Sequence, residues 1–336
     1  MAGAARAPRS RTMRAAVLPL ALLAAVLASL MIGQLMIGPA ALLQGALTGE
    51  GVGGLVLRTI RAPRALTAVG AGAALGLSGA LFQALFRNPL ASPDLMGFTS
   101  GAGLAILLAV AGGLTLPIPA VAAVGGLVAA VAVGLLSWRP GHATPPLTLV
   151  LVGLGIGFAC TALSSFVLLV LPVNEAADAQ RWLTGSLNAR AWGHAAQVWA
   201  GLAVLAVLAL ARQAPLEALE LGPDLATGLG IRAGQARAAI AVIAVLLAAA
   251  AVAVVGPVPF VALMAAPTGM RIAGARGLRA RLVAAALAGA VILVLADLAA
   301  QMAVPGASLP VGVATGILGA PYLLWRLSRE MRNGGL

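Results

Sequence analysis

The 336-residue chain contains no lysine, one cysteine and two histidines, and only 9% of its residues are charged. Each shortage closes a route. Without lysine there is no GxxxxGK[ST] loop, so the chain cannot hold ATP through a P-loop of its own. A single cysteine, Cys160, rules out an internal disulfide and argues against a thiolate metal site. His142 and His194 have no second ligand near them in sequence, so a pathway that strips and coordinates a bare metal ion finds no ligand set. No Ser/His/Asp set with a plausible nucleophile elbow is present, which argues against a membrane hydrolase. A soluble chain would carry about 25% charged residues, so a large soluble protein is excluded as well.

What the chain does have is apolar length: 61% of its residues are hydrophobic and the mean hydropathy is +1.05. A membrane helix needs about 20 predominantly apolar residues. Apolar runs fall near 15–36, 63–86, 95–113, 119–137, 147–171, 194–211, 237–256, 258–272, 281–303 and 310–327, the eighth being short for a span. The expected fold is therefore all-α, a polytopic transmembrane bundle of about ten helices with both termini on one side. The run at 15–36 is too long for the apolar core of a signal peptide and is read as the first span. The expected organisation is a cytoplasmic tail over 1–14, one transmembrane domain over 15–327 and a cytoplasmic tail over 328–336.

The formal net charge of +12 does not form a nucleic-acid patch, because the arginines sit in short loops between apolar runs. With the N-terminus cytoplasmic, only Arg58, Arg61, Arg64, Arg181 and Arg190 of the 21 arginines fall outside. That bias is the positive-inside pattern of a cytoplasmic-membrane protein. The five outer arginines are an exception that calls for a role.

The segment 61–103 is the most informative. An arginine pair around Pro63 precedes a span rich in glycine and alanine, and Arg87, Asn88 and Pro89 close it in a polar turn. Gly72 and Gly76 form a GxxxG, as do Gly153 and Gly157 in the fifth run. Both fit close helix packing. Asp297 is the clear acid inside a span, with Gln301 one turn on. A proton-coupled carrier would use such an acid with a partner, but a structural hydrogen bond or cap near the outer end is the better reading. The hydrophilic stretch at 214–236 alternates acids, glycines and leucines at helical spacing. It reads as two short amphipathic helices broken at Gly222-Pro223, a shape suited to a partner's groove.

These residues together resemble the permease subunits of type II ABC importers for iron-siderophores, haem and cobalamin, the FecCD-type permeases. The resemblance runs along nearly the whole chain. It is strongest in RAPRAL at 61–66, in 72–102, in LGPDLATGLGI at 221–231, in GPVPF at 256–260 and in LPVGVATGILGAPYLLW at 309–325. It implies the type II importer permease fold, a second permease subunit, two cytoplasmic ATPase subunits that use the ATP, and an extracytoplasmic solute-binding protein. By the resemblance, Arg61 and Arg64 dock that binding protein. Leu221, Gly222, Ala226, Leu229 and Gly230 form the element that couples to the ATPase. The permease itself performs no bond chemistry, binds no cofactor or metal ion of its own, and passes an iron chelate along small, weakly polar residues. Ser78, Gln83 and Thr99 are the candidates for that lining. The alternatives are a haem or cobalamin permease, an exporter permease and an ion-coupled carrier. Two departures stand out. The family's GPxxFxGLxxPHxxR pattern here reads GPVPFVALMAAPTGMR, without the histidine and with Pro267 and Arg271 one residue late, which suggests an insertion in the short eighth helix. Gln301 stands where some members carry an outward arginine, which points to an asymmetric docking face.

Overall fold

A computed structural model describes residues 8–33, 36–48, 51–138, 146–304 and 309–332; Arg6, Arg139 and His142 lie outside the described residues. The ten apolar runs each fall on a helix: α1 (Pro8–Met31), α4 (Ala62–Phe86), α5 (Phe98–Ala111), α6 (Ile118–Ser137), α7 (Pro146–Val170), α9 (Trp192–Ala211), α12 (Ala233–Val255), α13 (Val261–Ala273), α14 (Leu278–Met302) and α15 (Val311–Arg332). Among the described residues, seven helices are long and apolar enough to cross a membrane, while α5 and α13 are shorter apolar helices. Shorter pieces complete the chain: α2 (Pro39–Thr48), α3 (Gly51–Val56), α8 (Val173–Leu183), α10 (Gln213–Leu221) and α11 (Pro223–Gly228).

Two boundaries differ from the sequence expectation. The first span ends at Met31 rather than Met36 and already begins at Pro8. The last helix continues to Arg332, through most of what reads as a tail.

The bundle is organised around α4, which packs against α14, α12, α13 and α9. The reason is the absence of side chains. A methyl group at Gly72 would strike the backbone of Gly289, one at Gly76 the carbonyl oxygen of Ala285, and one at Gly79 that of Ala262. Gly289 presses back on Gly72. Close backbone approach of this kind drives association where lipid is as apolar as the helix and area burial yields little. The second GxxxG works differently. Gly153 and Gly157 on α7 lie against Met96 and Gly97, the turn that opens α5, rather than against another helix.

Just before α4 the helix widens into a π turn over Leu57–Arg61. Pro63 has no N–H to give to the ladder, and the C-cap N–H of Ala62 reaches back to Leu57. This turn carries Arg58 and Arg61 and presents Arg64 one turn later. The short eighth helix, α13, keeps Pro267 within a continuous helix and packs normally, with Val261–Ala266 and Gly269 buried. Backbone strain sits ahead of it, at Phe260, whose φ is 66°. The N–H of that residue donates to Asp94 Oδ2 at 2.8 Å.

Candidate functional site

Three places hold the residues singled out in the sequence. The first lies at one end of the bundle, where α4 and α14 meet the turn after α8. Arg64 donates through Nε to Asp297 Oδ2 at 2.8 Å and through Nη2 to Asp297 Oδ1 at 2.7 Å. Its Nη1 donates to Asn188 Oδ1 at 2.9 Å. Gln301 closes the set by donating to Asp297 Oδ2 at 2.9 Å. The Asp297 side chain is 2% exposed and that of Arg64 is 14% exposed. A two-point guanidinium–carboxylate pair of this geometry is among the strongest polar contacts a protein makes. Asp297 is thus a structural anchor, as the sequence favours, and its partner is an arginine 233 residues away.

Arg61 is also engaged: it is buried, and Nη1 donates to the carbonyl oxygen of Leu30 on α1 at 2.7 Å. The pair is therefore not displayed as two open cations, because guanidinium groups at an apolar boundary cost free energy until they find acceptors. The exposed cations at this end are Arg58 and Arg181, the latter in a surface pair with Asp178 at 3.2 Å. His194 serves the backbone here, its Nδ1 accepting from the Ala191 N–H at 3.1 Å where α9 begins.

The second place is the interior of α4. Ser78 is fully buried and its hydroxyl donates to the carbonyl oxygen of Ala244 on α12 at 2.6 Å. Thr99 is buried too. Gln83 donates to the carbonyl oxygen of Leu263 at 3.1 Å. In this conformation Ser78 and Thr99 have no surface to offer a solute, and the Gln83 amide is committed to α13, although its side chain borders a cavity at the far end. Small polar groups in an apolar bundle bond to backbone carbonyls for the same reason that surface ones face water. The sequence also passes over Asp94, a half-buried acid on the turn between α4 and α5 that holds the start of α13.

The third place is the arginine-rich end, which carries Arg87, Arg281 and Arg326 around that cavity. Here α10 and α11 form two short helices joined at Gly222, as the sequence indicates. Gly222 has φ 121° and Gly230 has φ 80°, conformations that side-chain-bearing residues rarely adopt. Ala226, Leu216 and Leu219 are fully buried and fix the element to the bundle. Leu221, Leu225 and Leu229 are all more than half exposed, one at the end of α10, one within α11 and one at its C-cap. The family pattern passes over Leu225, although its four-residue spacing from Leu221 and Leu229 is plain in the sequence. Behind the element, Glu220 bonds to Arg281 in the first turns of α14 at 2.5 Å.

A bundle with seven helices, among the described residues, long and apolar enough to cross a membrane, and with its arginines gathered at the helix ends, is a multi-pass membrane protein. The chain belongs to the FecCD transport family, which it matches over residues 21–329. It is 40% identical over 281 residues to the ferric enterobactin transport system permease protein of Escherichia coli K12, covering 83% of this chain and 84% of that one. It is 36% identical over 284 residues to the achromobactin transport system permease protein of Dickeya dadantii, covering 82% and 79%. Its identity to the vitamin B12 import system permease protein of Salmonella paratyphi A is 34% over 288 residues, covering 83% and 86%. A solved structure described as an inward-facing conformation of an ABC transporter assigned to the metal-chelate type superposes with a TM-score of 0.80 at 25% identity. That match covers 96% of this chain and 100% of the other.

Proposed function

We propose that the chain is the membrane permease of an ATP-driven importer in the cytoplasmic membrane, carrying ferric-siderophore complexes inward. The observation that carries this reading is the α10–α11 element: rigidly seated through Ala226, kinked at a glycine-only position, and crowned by three exposed leucines. A solvated tether would have no reason to display that stripe, whereas a groove on an ATPase subunit would cover it. The similarity to ferric enterobactin and achromobactin permeases supports the cargo, and the vitamin B12 relative is the less similar of the three.

In this reading the arginine-rich end faces the cytoplasm and both termini lie there, two ATPase subunits supply ATP hydrolysis, and a second permease subunit completes the pathway. The translocation surface falls on faces the single chain leaves open. Of the seven long apolar helices among the described residues α7 is the least buried, so in this reading it is the first candidate for that surface. The Arg64 end then faces outward, and an acidic surface of a solute-binding protein approaches Arg61 and Arg64 there. Because Arg64 also holds Asp297, the clean probe of docking is Arg64→Gln with Asp297→Asn, which removes both charges together. Receptor affinity falls in that variant if Arg64 belongs to the docking surface, and unchanged affinity removes it from that surface.

The cargo is tested by uptake of labelled ferric siderophores, haem and cobalamin in a deletion strain complemented with this chain. Restored uptake of a ferric siderophore alone is expected. Restoration by cobalamin or haem instead would replace the cargo while keeping the importer.

A further inference from the structure

The arginine-rich end contains a cavity of about 370 Å³ whose wall, among the described residues, carries the guanidinium groups of Arg87, Arg281 and Arg326 and the carboxylate of Glu220. These groups come from four different helices. Arg87 is the left-handed C-cap of α4, Glu220 ends α10, Arg281 stands near the start of α14, and Arg326 lies on α15. Asn88 adds an amide. The accessible apolar part of the wall is Ala84, Pro89 and Met270, with Leu278 and Leu282 buried behind it. The start of α14 also points its field at this place. The helix opens at Leu278 with no acid in its first turn and no side-chain cap, so its N-terminal amides favour an anion. Arg281 contributes a buried Nε with no hydrogen-bond partner, while its Nη2 is held by Glu220.

We propose that this cavity is a binding site for the phosphate headgroup of an anionic phospholipid. The charge balance selects an anion. The mixture of guanidinium groups with accessible apolar groups selects one that brings hydrocarbon with it, since a free phosphate ion gains nothing from Ala84, Pro89 and Met270. Basic pockets between membrane helices on the cytoplasmic side are where such headgroups are held, so the site rests on the proposed orientation. A phosphate entering it meets Arg281, the group that also ties the α10–α11 element to α14. Lipid occupancy therefore bears on how firmly that element is held.

The test uses the purified full chain in mild detergent, stripped of lipid and titrated in native mass spectrometry. The probes are phosphatidylglycerol, phosphatidylcholine, and phosphatidylglycerol competed with millimolar inorganic phosphate. Phosphatidylglycerol should bind in preference to phosphatidylcholine. Arg87→Gln with Arg326→Gln should weaken that binding about thirtyfold, and the corresponding double lysine variant should retain most of it. The lysine variant separates loss of charge from loss of fold. Equal retention of the two lipids, or full retention in the glutamine variant, would overturn the site. Displacement by inorganic phosphate would overturn the lipid as its occupant. No ATPase, receptor or chelate enters this measurement, so its failure leaves the importer reading standing.

Discussion

The two ends of α14 hold ion pairs of opposite character. At one end Arg64 and Asp297 are buried, joined at two points and braced by Asn188 and Gln301. At the other, Arg281 and Glu220 are 30% and 25% exposed and stand beside a cavity rich in arginine. A buried pair has lost its water and depends on its partner, so it behaves as a fixed joint. A partly exposed pair can exchange water or another anion for its partner at lower cost, so it behaves as a contact that can be remade. One helix therefore runs from a permanent fastening to an adjustable one. The adjustable end is the one that carries the element expected to meet an ATPase.

The comparison breaks most visibly at the buried joint. Asp297→Ala, leaving Arg64 without its counter-charge, should destabilise the protein by about 3–5 kcal/mol. The double variant Arg64→Gln/Asp297→Asn should recover much of that loss, and unfolding followed in detergent micelles measures both. If the single variant is no less stable than the double, the joint is not a joint. Next in size is the seam that holds α14 to α4. Gly76→Val drives a side chain into the carbonyl oxygen of Ala285 and should cost about 1–3 kcal/mol, read by the same unfolding assay. At the partly exposed end, Glu220→Gln should cost about 1–2 kcal/mol in stability, less than the buried joint, while altering ATPase stimulation in the assembled complex. A large stability loss there would erase the distinction between the two ends. The smallest effect belongs to the fully exposed pair on α8, where Asp178→Asn should leave stability within about 0.5 kcal/mol of the parent.

How much of this is legible in the sequence depends on the range of the interaction. The helices are local, and each of the ten apolar runs falls on one, seven of them, among the described residues, long and apolar enough to cross a membrane. The central position of α4 is legible because Gly72 and Gly76 can serve only close packing. The break at Gly222-Pro223 is equally local. The partner of Asp297 is not, because nothing near residue 297 names an arginine near residue 64. Ser78 and Thr99 show a different limit. A small hydroxyl in an apolar helix has the same sequence signature whether it lines a pathway or bonds to a neighbouring helix, and the choice is made by which carbonyl lies opposite. The arginine cavity is hidden for a third reason: its members come from four helices, and each alone reads as an ordinary basic residue at a membrane boundary.

The central claim, that the chain moves its cargo only when an ATPase works through the α10–α11 element, is tested in proteoliposomes loaded with the chain and its receptor, with and without the ATPase subunit and ATP. The account predicts ferric-siderophore uptake only when ATPase and ATP are both present, and none when Leu221–Gly230 is replaced by a Gly/Ser linker of equal length. Uptake by the chain without its ATPase, or undiminished uptake with the linker, would contradict it.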